Sequence, residues 1–137
     1  LEAWWALAEA HSGAEEPDIA VEKEALGKVQ ELDPKNAKGR KDNADVKLAE
    51  LLENSDPKAA REAYEKVVAD WPGTDGAAEA LFMIAASFAN VDGNFDEAEA
   101  RMKKLAEAIP ESEWAKKVPF ALEQIAKMRT HNKKKKQ

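Results

Sequence analysis

The 137-residue sequence contains no cysteine and only two histidines. Without cysteine, disulfides, thiolate zinc sites and cysteine nucleophiles are excluded. The histidines, His11 and His131, stand near opposite ends of the chain, and neither belongs to a His-x3-His pair or a His/Asp cluster that would suggest a metal site. We therefore expect neither a metal ion nor a cofactor.

Long apolar segments and phosphate-binding loops are also lacking. The longest apolar stretch, Ala77–Ala89, is interrupted by Glu79 and Ser87 and is shorter than the roughly 20 residues that a membrane span needs. Gly73 and Gly76 stand in "PGTDG", which is too short for a phosphate loop. Alternating segments typical of β-strands are missing. With 35% charged and 44% hydrophobic residues, the composition is that of a globular domain.

Acidic residues are abundant, but their pattern does not predict an active site. Adjacent pairs such as Glu15–Glu16 and Asp96–Glu97 are typical of solvated faces and of helix N-termini. A general acid–base site needs convergent groups with perturbed pKa values, and the sequence brings no such set together. We therefore predict that the protein is not an enzyme.

Charge is unevenly distributed along the chain. The net charge is −6, yet residues 127–137 hold six of the 21 basic residues and no acidic one. The acidic remainder argues against a nucleic-acid-binding face on the body. We expect residues 130–137 to be a disordered basic tail, and membrane contact only through Lys133–Lys136, at about 1 kcal/mol per lysine near an anionic surface. A solubilising tail is the interpretation we favour.

A period of 38 residues organises the chain. Prolines fall at positions 34, 72 and 110, and other equivalent positions carry similar residues. The residue two beyond each proline is of a type that caps helix N-termini, so each proline is predicted to end one helix shortly before the next begins. The matching sets are Leu26, Tyr64 and Met102; Val29, Val67 and Leu105; and Asn36, Thr74 and Ser112.

We call the segment from each of these prolines to the next helix start a joint. Between the joints, apolar residues recur at spacings of three and four, which predicts helices. In the turn Asn54–Pro57, Asp56 is predicted to cap a helix whose first residue is Pro57. Pro119 is expected either to kink the last helix or to start it after a short turn. The predicted helices cover residues 1–11, 17–32, 38–53, 56–70, 75–90, 94–108 and 112–129.

Two segments share a small residue, then a large apolar or aromatic residue four positions later, and a closing proline: Ala60-x3-Tyr64…Pro72 and Ala98-x3-Met102…Pro110. This pattern resembles the second helix of the tetratricopeptide repeat. The resemblance as a whole covers residues 17–129. The resemblance implies an all-α fold, a right-handed superhelix of about three helical hairpins with a terminal capping helix. It also implies a single domain over residues 1–129.

The sequence departs from the usual family pattern in its first helices. The period is 38 rather than 34 residues, and in Ala78–Ala85 only Leu81 fits the first-helix signature. The linker Trp71–Thr74, followed by Ala80–Leu81, is similar to linkers of divergent tetratricopeptide-like proteins of the bacterial envelope. This narrower resemblance favours the envelope or periplasm over the cytoplasm.

The resemblance implies a protein–protein interaction scaffold that binds a peptide or partner protein on a concave groove lined by first helices. Trp114 is expected at the rim of this groove, with packing against the preceding helix as the alternative. The other interpretation is a structural spacer or docking domain of a larger envelope or secreted protein, with no ligand of its own; a chain that begins with Leu1 rather than Met suggests it. No oligomeric state is predicted. The partner-binding candidates are Lys41, Asp45, Glu79, Met83, Trp114, Lys117 and Ala121.

Overall fold

The protein is all-α in its computed structural model, which describes residues 1–136 and leaves Gln137 outside the description. Eight helices and no strand occur in this range, which confirms the predicted all-α class. The helices are α1 (Glu2–Ser12), α2 (Ile19–Leu32), α3 (Lys41–Glu50), α4 (Pro57–Asp70), α5 (Asp75–Asn90), α6 (Phe95–Ala108), α7 (Glu113–Lys116) and α8 (Val118–Lys136).

The chain divides into two compact units, Leu1–Ala63 and Tyr64–Gln137. Helix α4 begins in the first unit and ends in the second. The single domain expected over residues 1–129 stays a prediction, and each unit is described by itself below.

In the first unit, α2 packs against both α1 and α3. Its core contains Ala25, Leu26 and Val29 of α2, which follow one another at helical spacing and therefore share one face. Trp5 of α1 and Ala44 of α3 also belong to this core and contact that face. Burial of each large apolar side chain contributes roughly 1.5–3 kcal/mol to stability.

In the second unit, α6 packs against α5 and α8. Ala78 and Ala85 give α5 a surface of small side chains, so α6 can approach closely. Met102 and Leu105 of α6 fill the space between the helices, and Ile125 of α8 completes the core. In this arrangement α5 and α8 contact each other as well as α6.

Three helix starts are capped as the sequence predicted. The side-chain oxygens of Thr74, Ser112 and Asp56 each accept a hydrogen bond from the backbone N–H three residues further on, at 3.2, 2.9 and 3.0 Å. Pro57 is the first residue of α4. Each cap is worth about 1 kcal/mol.

The first joint uses a buried carboxylate instead. Asp33, which is 3% exposed, accepts hydrogen bonds from the backbone N–H groups of Lys38 and Arg40, each at 3.0 Å. Burial acts to raise the pKa of Asp33, but the backbone hydrogen bonds together lower it below its ordinary value. Trp71 and Ile109 occupy the equivalent positions 38 and 76 residues later.

The predicted start of the third helix, residue 38, is wrong, and so is Asn36 as its cap. Helix α3 runs from Lys41 to Glu50, because the N–H groups that would open an earlier helix are bonded to the carboxylate of Asp33. Asn36 has a φ of 57°, and its side-chain oxygen accepts a hydrogen bond from the N–H of Asp42 at 3.2 Å. It therefore still satisfies a first-turn N–H of α3 from a distance of six residues.

The last predicted helix is two helices. Helix α7 ends at Lys116 and α8 begins at Val118, so Pro119 lies in the first turn of α8, as expected for a start after a short turn. Helix α8 continues to Lys136, which differs from the disordered tail expected over residues 130–137; Gln137 lies outside the described residues. No proline or glycine follows Pro119, and lysine is a good helix former.

Candidate functional site

Two of the predicted binding residues lie in the first unit and contact each other. The Nζ atom of Lys41 lies 2.9 Å from Oδ2 of Asp45, one helical turn further along α3. The other carboxylate oxygen of Asp45 accepts a hydrogen bond of 2.6 Å from the side-chain amide of Gln30. Both side chains of the pair are half-buried, so their charges already have partners within this unit.

Cationic side chains cover the buried tryptophan of the same unit. The guanidinium carbon of Arg40 lies 4.9 Å from the ring centroid of Trp5, and Nζ of Lys47 lies 5.7 Å from it. Arg40 also donates hydrogen bonds to both carboxylate oxygens of Glu2, at 3.2 and 2.9 Å. These hydrogen bonds lower the pKa of Glu2. The contacts attach α1 to the start of α3 and have a structural role.

In the second unit, Trp114 brings together three elements. Its ring centroid lies 5.2 Å from that of Phe82 on α5, with the ring planes inclined by 52°. The ammonium of Lys117, which follows α7, lies 3.9 Å from the centroid of the Trp114 ring. Trp114 is half-buried and Lys117 is exposed. An aromatic surface with a cation on it therefore lies beside α5.

An open apolar groove lies between α5 and α8, and we call it the α5–α8 groove. Its volume is about 190 Å³, and an apolar cavity of about 150 Å³ holds a benzene-sized group, so one large side chain would fit. None of the side chains lining it is charged. They are Phe82, Ala86, Ala89, Asn90, Met102, Phe120, Ala121, Gln124, Ile125 and Met128.

Phe120 is the most exposed large apolar residue of this unit among those described, at 66%. It stands on α8 at the edge of the groove, and Phe82 lines the groove from α5. A single exposed apolar side chain is common on protein surfaces, so Phe120 is informative because it borders an apolar groove.

Arg129 attaches the groove's α8 wall to α6. Its guanidinium donates to Asp96 at 2.7 Å and lies 2.9 Å from a carboxylate oxygen of Glu99. The guanidinium carbon also lies 5.9 Å from the ring centroid of Phe95. The hydrogen bonds to Asp96 and Glu99 raise the pKa of Arg129. Three contacts with one helix thus hold α8 in place from the middle of its length.

The structure gathers some of the predicted residues of this unit and separates others. Ala121 lines the groove but is only 8% exposed and belongs to the core. Trp114 and Lys117 lie beside the groove through the contact with Phe82. Glu79 and Met83 are half-buried on α5 and do not line it. Lys41 and Asp45 belong to the other unit.

The two residues that shape the groove most, Phe82 and Phe120, were not among the predicted binding residues. They are 38 residues apart, so the same offset that revealed the joints could have paired them. The same offset relates Asn90 to Met128 and Ala86 to Gln124, so the two walls of the groove consist of equivalent repeat positions.

Residues 1–136 offer neither a metal site nor a membrane span. No group of three or more histidine or acidic side chains within this range is placed to hold a metal ion. None of the helices described there has the length and apolar character that crossing a bilayer requires.

A family model described as "Tetratricopeptide repeat" matches residues 38–74 and 79–112, which together make up more than half of the chain. The matched segments end at Thr74 and Ser112, the two capped joints that the 38-residue offset predicted. No curated protein and no solved structure gives a significant match.

Proposed function

Because the chain belongs to the tetratricopeptide repeat family, we propose that it is an interaction scaffold that binds a peptide or partner protein on the surface lined by its first helices. Repeats of this family generally mediate protein–protein interaction. The proposal assigns no catalytic step to the chain. The narrower resemblance to proteins of the bacterial envelope stays a prediction.

The observation that supports this proposal most is the α5–α8 groove with Phe120 exposed at its edge. Helix α5 follows the joint capped by Thr74, and α8 follows the joint capped by Ser112 after the short helix α7. We assign α8 to the first-helix position of a further repeat because it follows α5 at the 38-residue offset. Grooves between helices accept the apolar side chains of helical or extended partners. The groove is open and uncharged, so a partner's apolar side chain can enter without displacing an ion pair of the scaffold.

The predicted residues of the second unit take distinct roles in this proposal. Trp114 supplies a large rigid contact at the rim, and Met83 an adaptable one. Lys117 and Glu79 fix the orientation of the partner through charge. Ala121 is small, so it leaves room above the core for the partner's side chain. The paired Lys41 and Asp45 are proposed as a polar contact on the first unit.

Selection of peptides displayed on phage against the intact chain tests the proposal although the partner's sequence is unknown. We expect selected peptides to bind the wild type and to lose most of their affinity for a double variant, Phe120→Ala with Lys117→Ala. A matched double variant outside the proposed surface, Leu32→Ala with Lys104→Ala, should bind as the wild type does. Both control side chains are exposed.

Two outcomes would contradict the proposal. A selection that enriches no peptide would favour the spacer or docking domain that has no ligand of its own. Peptides that bind both double variants equally well would place the binding surface elsewhere on the chain.

A further inference from the structure

Helices α5 and α8 occupy equivalent repeat positions but differ in what they present to solvent. Buried Ala85 and Ala89 of α5 correspond, at the 38-residue offset, to Glu123 and Lys127 of α8. Terminal helices of repeat proteins carry such polar outer faces because no further repeat covers them. Phe120 does not follow this pattern, since it is apolar and two-thirds exposed. Glu123 and Lys127 thus suit a face of α8 that no other described helix covers, whereas Phe120 does not.

The groove wall on α8 is one stripe of side chains. Ala121, Gln124 and Met128 line the groove at spacings of three and four, so they share a face of the helix. Lys117 precedes this stripe by one turn, and Lys135 follows Met128 by two turns. A partner that lies along the groove therefore meets apolar and amide groups in the middle and a lysine toward each end.

The segment that carries the α8 wall of the groove is basic, although Arg129 pairs with Asp96 and Glu99 of α6, and Lys127 and Lys134 line a different surface of α8. Residues 113–137 carry eight basic and two acidic side chains. Both acids have a basic partner, Glu113 with Lys116 at 3.0 Å and Glu123 with Lys127 at 3.4 Å. Helix α5 carries two acidic residues and no basic one. A complementary partner thus needs acidic groups facing α8 and none facing α5.

We propose that the α5–α8 groove binds an acidic amphipathic helix of a partner protein. This inference rests on the proposed function and specifies the chemistry of the partner. An apolar side chain of the partner sits between Phe82 and Phe120, and its Asp or Glu residues lie opposite Lys117 and the basic end of α8. Lys135 lies 18 positions after Lys117, about 27 Å at the rise of a helix, so a partner helix of similar length covers the stripe.

Fluorescence anisotropy with three labelled model helices of about 18 residues tests the inference on the intact chain. The first peptide carries a leucine stripe flanked by glutamates, the second the same stripe flanked by lysines, and the third the glutamates with serine in place of leucine. We expect the first to bind at least about tenfold more tightly than either of the others, because one lacks the charge and the other lacks the apolar contact. Added salt should weaken its binding.

Variants of the chain separate the two parts of the contact. Phe120→Ala should weaken the first peptide about tenfold through the lost apolar contact, and Lys117→Glu about fivefold through the reversed charge. Leu32→Ala and Lys104→Glu are the matched controls outside the groove, and they should bind as the wild type does. Phe120 is exposed, so circular dichroism should show Phe120→Ala folded as the wild type is.

Several results would overturn the inference while leaving the proposed function in place. Selected peptides that depend on the groove but carry neutral or basic flanks would do so, as would equal binding of the glutamate- and lysine-flanked helices.

Self-association in sedimentation velocity that Phe120→Ala abolishes would show that a second copy occupies the groove. Anionic vesicles or single-stranded DNA that bind more tightly than the first peptide would assign the positive charge to another partner. Failure of every peptide in both selection and titration would remove the proposed function as well.

Discussion

The two units stabilise the joint between successive helices with different side chains. At the end of α2 in the first unit, the carboxylate of Asp33 fixes the next segment by accepting backbone hydrogen bonds. At the equivalent position at the end of α6 in the second unit, partly buried Ile109 packs against the core and Ser112 caps the next helix. The repeat offset therefore predicts where a joint lies, and the side chains decide what stabilises it.

The units also differ in how much apolar surface they leave exposed beside their aromatic side chains. In the first unit, the aromatic and charged groups already contact one another, as in the set of Trp5, Arg40 and Glu2. In the second, Phe82 and Phe120 border a groove that no described side chain of the unit fills. Contacts made within a unit stabilise the fold, whereas apolar surface left open favours binding.

The largest effect on stability is expected when a buried position of α5 receives the residue found at the equivalent position of α8. Ala85 is fully buried and Glu123 is exposed, although they are equivalent in the repeat. Ala85→Glu should lower the free energy of unfolding by about 4 kcal/mol or more, because a carboxylate is buried without a partner. Urea denaturation measures it. Glu123→Ala is the reciprocal control and should stay within about 0.5 kcal/mol of the wild type; comparable effects for the two would contradict the different burial of the two positions.

Replacement of the first unit's carboxylate by the second unit's residue tests the joint directly. Asp33→Ile should lower the free energy of unfolding by about 2–3 kcal/mol, because the N–H groups of Lys38 and Arg40 lose their acceptor. Urea denaturation again provides the measurement. A stability equal to that of the wild type would show that apolar packing suffices at both joints.

The same joint makes stability depend on pH. The pKa of Asp33 is lowered in the folded protein relative to its ordinary value of 3.8. Its ionised form therefore stabilises the fold above that value, and this contribution is lost as the pH falls through the folded pKa. The difference in urea midpoint between wild type and Asp33→Asn should be largest near neutral pH and shrink below about pH 4. A difference that is constant with pH would contradict this assignment.

A smaller effect is expected from the backbone of the first joint. Asn36 has a φ of 57°, whereas the second unit's Thr74 has an ordinary φ of −85°. Both Asn36→Ala and Asn36→Gly remove the hydrogen bond to Asp42, but only glycine adopts the positive φ without strain. The alanine variant should be less stable than the glycine variant by about 1 kcal/mol in urea denaturation. The reverse order would show that the turn does not require a positive φ.

The smallest effect on stability is expected at the edge of the groove. Phe120→Ala should change the free energy of unfolding by no more than about 0.5 kcal/mol, since the ring is mostly exposed. Phe82→Ala, on the partly buried ring at the equivalent position, should cost about 1–2 kcal/mol. Equal losses in thermal or urea unfolding would mean that Phe120 is part of the fold rather than of a binding surface.

The sequence predicted α5 and α6 of the second unit well, because their boundaries depend on local signals. Pro72 and Thr74 determine the start of α5 through interactions within a few residues of the chain. The predicted range 75–90 is the observed one. The start of α3 could not be predicted in this way. It depends on a carboxylate that is buried only once α2 has ended and the chain has turned back.

The sequence predicted which segments of the chain border the candidate site better than it predicted the residues that line it. Ala121 of α8 lines the groove, and Trp114 of α7 and Lys117, which follows α7, lie beside it. Phe120 was missed because its exposure depends on the absence of a covering helix in the described structure, and periodicity alone marks it as a core position. The roles of all these residues in binding stay predictions.

Nuclear magnetic resonance with the glutamate-flanked model helix tests the central claim, that the α5–α8 groove is the binding surface. We expect the largest chemical-shift changes at the indole N–H of Trp114 and at the backbone amides of Phe82, Asn90, Phe120 and Gln124. Changes concentrated instead on the pocket formed by Val68, Leu81 and Lys104, or in the first unit, would contradict it.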